Sequence, residues 1–351
     1  MNRVGVARAA GLARPARPAQ LRRGPSPRAL TVRIVLAVLT IACVIAALAL
    51  GSRELDIGRV FAAFGPGADE LDRMVVVEWR APRALAAVLF GACLGVSGAI
   101  FQTLTRNPLG SPDIVGLNTG AYTGVVVVMM LGGTGFALQA TGALLGGLIA
   151  TAIIYLLAFR KGLSGFRLII VGIAVSAMLT SVNTWFSVKS DLDAAARAAV
   201  WGAGSLGGIE WPVMLAAVVV FVPMLLLLPL ASWRLRQLEL GDDTAASLGV
   251  PVESSKVFVV AVGVALTALA TTVAGPIAFV SLAATPIATR LTGRTGSSEF
   301  VGAALVGALL LSVSDLIAQH ALPHATLPVG AVTVCLGGAY LVWLLFRESA
   351  R

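Results

Sequence analysis

Few side chains in this sequence could do chemistry, and they fall in four places. The first is the polar stretch SWRLRQLELGDDTAASLGVPVESSK at 232–256. There Gly241 breaks the chain, and Asp242 and Asp243 stand where a short helix would start. Carboxylates are favoured there by the free N–H groups and the dipole of a first turn. Ala245, Ala246 and Leu248 make a small apolar face, and Gly249 and Pro251 end it. The second is the RAPR motif, which sets Arg80 and Arg83 around Pro82. Such a pair reads either as an interfacial anchor at a helix start or as a grip for carboxylates. The third is Asp315, inside an apolar run, where a carboxylate is costly unless it is paired or near water. It reads equally as a pathway residue and as a structural acceptor. The fourth is His320 with His324, close in sequence and placed at the rim of the same run, which suits rim residues better than metal ligands.

What is missing bounds the function. The three lysines, Lys161, Lys189 and Lys256, never follow a glycine, so the chain has no phosphate-binding Gly-Lys pair and no nucleotide site of its own. No His- and Glu-rich cluster suggests a metal. Cys43, Cys93 and Cys335 all sit in apolar runs without CxxC spacing and read as small apolar filler. The net charge of +9 raises the question of nucleic acid, but the basic residues form no patch interleaved with aromatics.

These residues are positioned by membrane helices. Of 351 residues 58% are hydrophobic and only 12% charged, and mean hydropathy is +0.91. A soluble domain would be near a quarter charged. Residues 1–31 read as a basic, disordered tail, and 32–348 as one transmembrane domain. Apolar runs predict ten crossings, at 34–50, 84–104, 114–131, 138–159, 168–188, 212–231, 257–274, 276–290, 300–321 and 328–346. The 138–159 run is closed by Arg160 and Lys161. Residues 51–78 read as an external loop, and 190–211 holds a short helix at the outer rim. Ala47-Leu48-Ala49 could pass for a signal-peptidase site, but the many apolar runs that follow make the first one a membrane helix. Nineteen of the 26 Lys and Arg fall in one alternate set of loops, which places both termini in the cytoplasm. Gly91 and Gly95, with Gly98, give the second helix a small-residue face for close packing. Gly116, Gly120 and Gly124 repeat the four-residue spacing on the third.

The blocks RAPR, SGAIFQTLTRNPLGSP and GLNTGA, in that order, resemble the FecCD/BtuC-like permeases, the membrane subunits of ABC importers for iron–siderophore complexes and vitamin B12. The similarity runs from about Val76 to Ser349, and its wording is nearest to members that move ferric enterobactin. The resemblance implies the type II ABC importer fold. It makes LGDDTAASLGV, through Leu240, Gly241, Asp242, Ala245, Leu248 and Gly249 with Asp243 beside them, a coupling helix that docks on a separate ATPase. It gives Arg80 and Arg83 a role in docking a substrate-binding protein, while a third family arginine is replaced by Gln319. It makes Asn183, Trp185, Gly202 and Gly204, with Asp315, pathway candidates. Gly275-Pro276-Ile277 and Leu327-Pro328-Val329-Gly330 become helix breaks.

The partners implied are a second permease subunit, two cytoplasmic ATPase subunits that hold ATP and Mg, and an extracytoplasmic binding protein. The chain itself binds no cofactor, because the iron stays inside the siderophore. Transport is then alternating access, with a catecholate of the enterobactin kind as the expected substrate. The rivals are a vitamin B12 or haem permease of the same fold, and a proton-coupled secondary transporter, which wants more intramembrane carboxylates than Asp315.

Overall fold

The first helix is capped by Ser26, whose hydroxyl accepts a hydrogen bond from Ala29 N–H at 3.3 Å. Pro27 follows at the first helical position, where its missing N–H is no loss. The computed structural model describes residues 26–51, 55–159, 162, 164–322 and 325–349. Residues 1–25 of the expected tail, Arg160 with Lys161, and His324 lie outside them. Fourteen α-helices are present among the described residues. They are α1 (Pro27–Ala49), α2 (Ile57–Ala62), α3 (Glu70–Arg73), α4 (Ala81–Thr105), α5 (Leu117–Met130), α6 (Phe136–Ala158) and α7 (Gly165–Lys189), then α8 (Leu192–Gly202), α9 (Trp211–Leu238), α10 (Asp242–Ser247), α11 (Val252–Ala274), α12 (Val280–Thr292), α13 (Phe300–His320) and α14 (Val329–Ser349). Seven helical stretches are long and apolar enough to cross a membrane: α1, the continuous rod 70–105, α6, α7, α9, α11 and α13. Leu117–Met130 and Val329–Tyr340 are shorter apolar helices.

Several boundaries differ from the sequence expectation, each for a local reason. Residues 27–31, assigned to the tail, are the capped first turn of α1. Residues 70–78, assigned to an external loop, are helical and run on through Arg80 into α4. Pro82 cannot continue the i→i−4 ladder. The turn before it, Met74–Arg80, is wound in π register, with Ala81 N–H bonded to Val76 O, which accommodates the proline within the rod. Arg80 and Arg83 therefore sit inside a helix and not at its start. The 232–256 loop is narrower than its polarity suggests, because α9 continues to Leu238 and α11 begins at Val252. α12 starts at Val280 and not at 276, since Gly275 (φ +73°) and Phe279 (φ +70°) hold the intervening backbone in left-handed conformations.

The centre of the fold is α4. It packs most extensively on α13, and also on α11 and α12. A Cβ added to Gly91 would meet the Gly307 carbonyl and lie 2.8 Å from Ala308 Cα. One on Gly95 would meet the Ala303 carbonyl, and one on Gly98 the Ser281 carbonyl. Backbones thus touch where the small residues lie, as close helix crossings in membranes require. α5 makes the same kind of seam with α6, where a Cβ on Gly120 would sit 2.6 Å from Gly146 O. Gly116 (φ +72°) turns the chain from the 3₁₀ turn Pro112–Val115 into α5, against Ile154 and Ser176. At the α10 end of the bundle Arg28 Nε and Nη2 donate to Leu291 O and Arg290 O, both at 2.9 Å, and tie α1 to the end of α12.

Candidate functional site

Three constellations come from this scaffold, at the two ends and in the middle. At one end α10 stands out from the bundle between α9 and α11. Gly241 takes φ +103° and Gly249 φ +79°, conformations open to glycine. Val250 N–H returns to Ala245 O at 3.0 Å, closing the turn. Asp242 reaches Lys256 Nζ at 2.6 Å, and Glu253 lies 3.5 Å from the same ammonium. Arg106 donates to Leu238 O at 3.3 Å, which fixes the base of the turn to α4. Leu240 and Leu248 are 58% and 61% exposed, whereas Ala245 is 0% exposed. The sequence reading is corrected at this residue. Ala245 faces its own chain and seats α10, and the surface offered outward is made by Leu240, Asp243 and Leu248. Beside α10 a cavity of about 660 Å³ is lined by Thr103, Arg106, Phe166, Leu238, Asp242 and Lys256.

At the other end the two arginines of RAPR are both engaged within the chain. Arg83 Nη2 donates to Asp315 Oδ1 at 2.8 Å and its Nε lies 3.1 Å from both carboxylate oxygens. Gln319 Nε2 donates to Asp315 Oδ2 at 2.8 Å. Asp315 is 2% exposed, so this carboxylate at membrane depth is fully partnered and lines no open path. Gln319, standing where the resemblance expects an arginine, completes its shell with a neutral donor. Arg80 Nη1 donates to Leu48 O at 2.8 Å and to Ala49 O at 3.2 Å, carbonyls at the end of α1 that lack intrahelical partners.

Between these ends α5 and α7 frame a groove of about 320 Å³, lined by Asn118, Thr119, Tyr122, Thr180, Asn183 and Thr184 among others. Every hydroxyl of α7 in it is bonded back to its own helix: Thr180 to Ser176 O at 2.8 Å, Thr184 to Thr180 O at 2.9 Å, and Ser187 to Asn183 O at 3.0 Å. Their protons are satisfied locally and their lone pairs remain for another partner. Asn183 is 5% exposed and its Oδ1 accepts no hydrogen bond. Trp185 is 57% exposed, tilts against Phe186 and does not line the groove. Gly202 lets the Tyr122 ring approach, and Gly204 (φ +71°) lies on the Pro276 carbonyl. Both glycines act by admitting neighbours. The structure thus brings Asn183, Gly202 and Gly204 together around Tyr122 and Pro276, and leaves Trp185 and Asp315 outside.

Sequence reasoning missed Asp113. Its Oδ1 accepts from Asn118 Nδ2, and its Oδ2 accepts from Ser281 Oγ at 3.3 Å. Asn118 Oδ1 in turn accepts from Thr271 Oγ1 at 2.9 Å. This chain of side chains joins the Pro112 turn, α5, α11 and α12 behind the groove. The available signal was an Asp after Ser-Pro in a break, with Asn five residues on.

Fold and site define a multi-pass helical membrane protein. Comparison with known proteins narrows the class. The FecCD transport family matches residues 39–347. Over 321 residues the chain is 48% identical to the ferric enterobactin transport system permease protein FepG of Escherichia coli (strain K12), covering 91% of this chain and 97% of the relative. It is 35% identical over 295 residues to the iron(3+)-hydroxamate import system permease protein FhuG of Bacillus subtilis (strain 168), covering 82% and 87%. Among solved structures, a transporter described as of the metal-chelate ABC type, in an inward-facing conformation, superposes with a TM-score of 0.81 at 26% identity, over 91% of this chain and 99% of that one. The chain belongs to the FecCD transport family, and it is a permease and not an enzyme.

Proposed function

We propose that this chain is one permease subunit of an ATP-driven importer that carries a ferric siderophore, of the catecholate enterobactin type, across the cytoplasmic membrane. The observation that carries the reading is the 48% identity with the ferric enterobactin permease over nearly its whole length, against 35% with the hydroxamate permease. A second permease subunit completes the pathway, as a heterodimer. Two ATPase subunits hold ATP and Mg, and an extracytoplasmic protein delivers the chelate. Iron travels inside the siderophore, so this chain needs to supply hydroxyl and amide groups and no metal ligands. The groove at Asn118, Thr180, Asn183 and Thr184 is such a surface. The path crosses the membrane ten times, counting the shorter α5, α12 and α14. Both termini, the basic tail and α10 face the cytoplasm, as the bias of Lys and Arg supports.

In this reading α10 transmits ATPase motion through Leu240, Asp243 and Leu248, while Ala245 and the Asp242–Lys256 pair hold it against α11. Arg80 and Arg83 serve docking by position: they fix the outer ends of α1, α4 and α13 on which a binding protein would rest. The test is uptake of radiolabelled ferric enterobactin by cells that lack their own permease genes and carry this chain with its neighbouring transporter genes. Uptake of ferric enterobactin above that of a ferric hydroxamate is expected. Equal uptake of both, or of neither, overturns the substrate assignment.

A further inference from the structure

α6 and α9 both pack on α11 but scarcely meet one another, and the gap between them is a continuous cleft. Its deeper part, of about 510 Å³, is apolar and walled by Phe136, Ala140 and Leu148 of α6 and Ala216 and Met224 of α9. Its upper part, of about 530 Å³, shares Phe136, Ala140 and Val213 with the deeper one and ends among Arg197, Gln139 and Ser205. The wall residues on α6 recur every four positions from Phe136 to Leu148, and those on α9 run from Pro212 to Met224. Each strip is therefore about 18 Å long at 1.5 Å per residue. The hydrocarbon core of a bilayer is about 30 Å thick. The cleft is thus about one leaflet deep, apolar along its length, and cationic at the mouth beside α8, the end opposite α10.

We propose that this cleft holds one anionic phospholipid. One of its two acyl chains lies between α6 and α9 on α11, and its phosphate accepts from the Arg197 guanidinium and the Gln139 amide. A transmembrane helix of another subunit, about 30 Å long across the hydrocarbon, would need a seat about twice as long. The small side chains of Ala140, Ala216 and Ala268 line the cleft and leave room for an alkyl chain. A guanidinium near a membrane surface favours an anionic over a zwitterionic lipid by a modest, measurable factor.

The test uses the full-length chain, purified with its partner permease and titrated with phosphatidylglycerol or phosphatidylethanolamine under native mass spectrometry. The wild type should retain one phosphatidylglycerol more strongly than phosphatidylethanolamine. Arg197→Gln should reduce that preference about fivefold, Arg197→Lys should restore most of it, and Ala140→Trp should expel both lipids. Arg73→Gln, a change of exposed charge on another outer segment, should leave the preference unchanged. The proposal is overturned if Arg197→Gln keeps the wild-type preference, or if Arg73→Gln lowers it equally. It is also overturned if Ala216→Cys cross-links to another polypeptide, which would mean that a protein helix fills the cleft.

Discussion

α4 and α7 are each 25 residues long, and each lies in a stretch apolar enough to cross a membrane. Yet in the most apolar 18 residues of the rod 70–105, which contains α4, 78% are buried inside the chain, against 11% in the matching part of α7. The difference lies in which small residues each carries. α4 has glycines at Gly91, Gly95 and Gly98, which bring backbones of α12 and α13 into contact. α7 has Thr180, Thr184 and Ser187 on the face that lines the groove, each bonded back to its own helix. Close packing with few polar groups makes α4 a fixed frame. A hydroxyl-bearing face that the chain leaves uncovered makes α7 a surface for something outside the chain. Hydropathy alone cannot separate the two roles, whereas the choice between glycine and hydroxyl does.

If α4 is the frame, its polar pin should be the costliest thing to break. Asp315→Ala leaves the Arg83 guanidinium without its carboxylate at membrane depth. Removing one partner of a buried pair costs about 3–5 kcal/mol. The variant should accumulate poorly in membranes and unfold at lower temperature in detergent. The double variant Arg83→Met with Asp315→Leu should recover much of the loss, since replacing both charges by apolar groups is often neutral. A single variant as stable as wild type would show that the pair does not pin α4 to α13.

Next in size is Gly91→Leu. A side chain there must displace the Gly307 and Ala308 backbone, and overpacking costs about 1–3 kcal/mol. Thermal unfolding should reveal the loss, while the same volume added at an exposed α7 position such as Ala177 should leave stability near wild type. Equal losses at both sites would erase the contrast between the two helices.

A smaller effect on the fold, with a larger one on function, is expected at α10. Leu248→Asp changes a residue that is 61% exposed, and exposed substitutions usually stay within about 0.5 kcal/mol. Membrane level should hold, while co-purification of the ATPase subunits and uptake should fall. Ala245→Arg should instead lower the level of the protein itself, because Ala245 is buried on the inward face of α10. If Leu248→Asp retains the ATPase as wild type does, the exposed turn is not the contact.

Much of this was legible in the sequence. Apolar runs located the seven helical stretches long enough to cross a membrane, and the four-residue glycine spacing pointed to the faces where backbones meet. Helix ends were less legible, because a run of polar residues reads as loop until a cap or a π turn shows that helical bonding continues, as at 27–31 and 70–78. The pairings were illegible for a different reason. Arg83 and Asp315 are 232 residues apart, and Asp113 and Ser281 are 168 apart, so no local pattern relates them. Asp315 could be read as costly, but which cation neutralised it depended on how α4 and α13 cross. Ala245 was misread because a six-residue helix has too little periodicity to say which side is inward.

The smallest expected effect on the fold is the most telling for α7. Asn183 is nearly buried, at 5% exposure, and its Oδ1 accepts no hydrogen bond. A buried acceptor without a partner costs about 1–3 kcal/mol, and replacing it by an apolar group of similar shape relieves that cost. Asn183→Leu should therefore unfold at the same temperature as wild type or slightly higher. A side chain kept only for structure would then be improved, with transport unchanged. If the amide is held ready for a polar solute moving along the Thr180–Thr184 face, uptake should fall severalfold in the more stable variant. Thr180→Val, which deletes one hydroxyl bonded only to its own helix, should show a weaker form of the same split. Both measurements belong on one preparation, thermal unfolding in detergent and uptake in cells at matched protein level. A variant that gains stability and keeps full uptake would return α7 to the status of a helix that simply faces lipid.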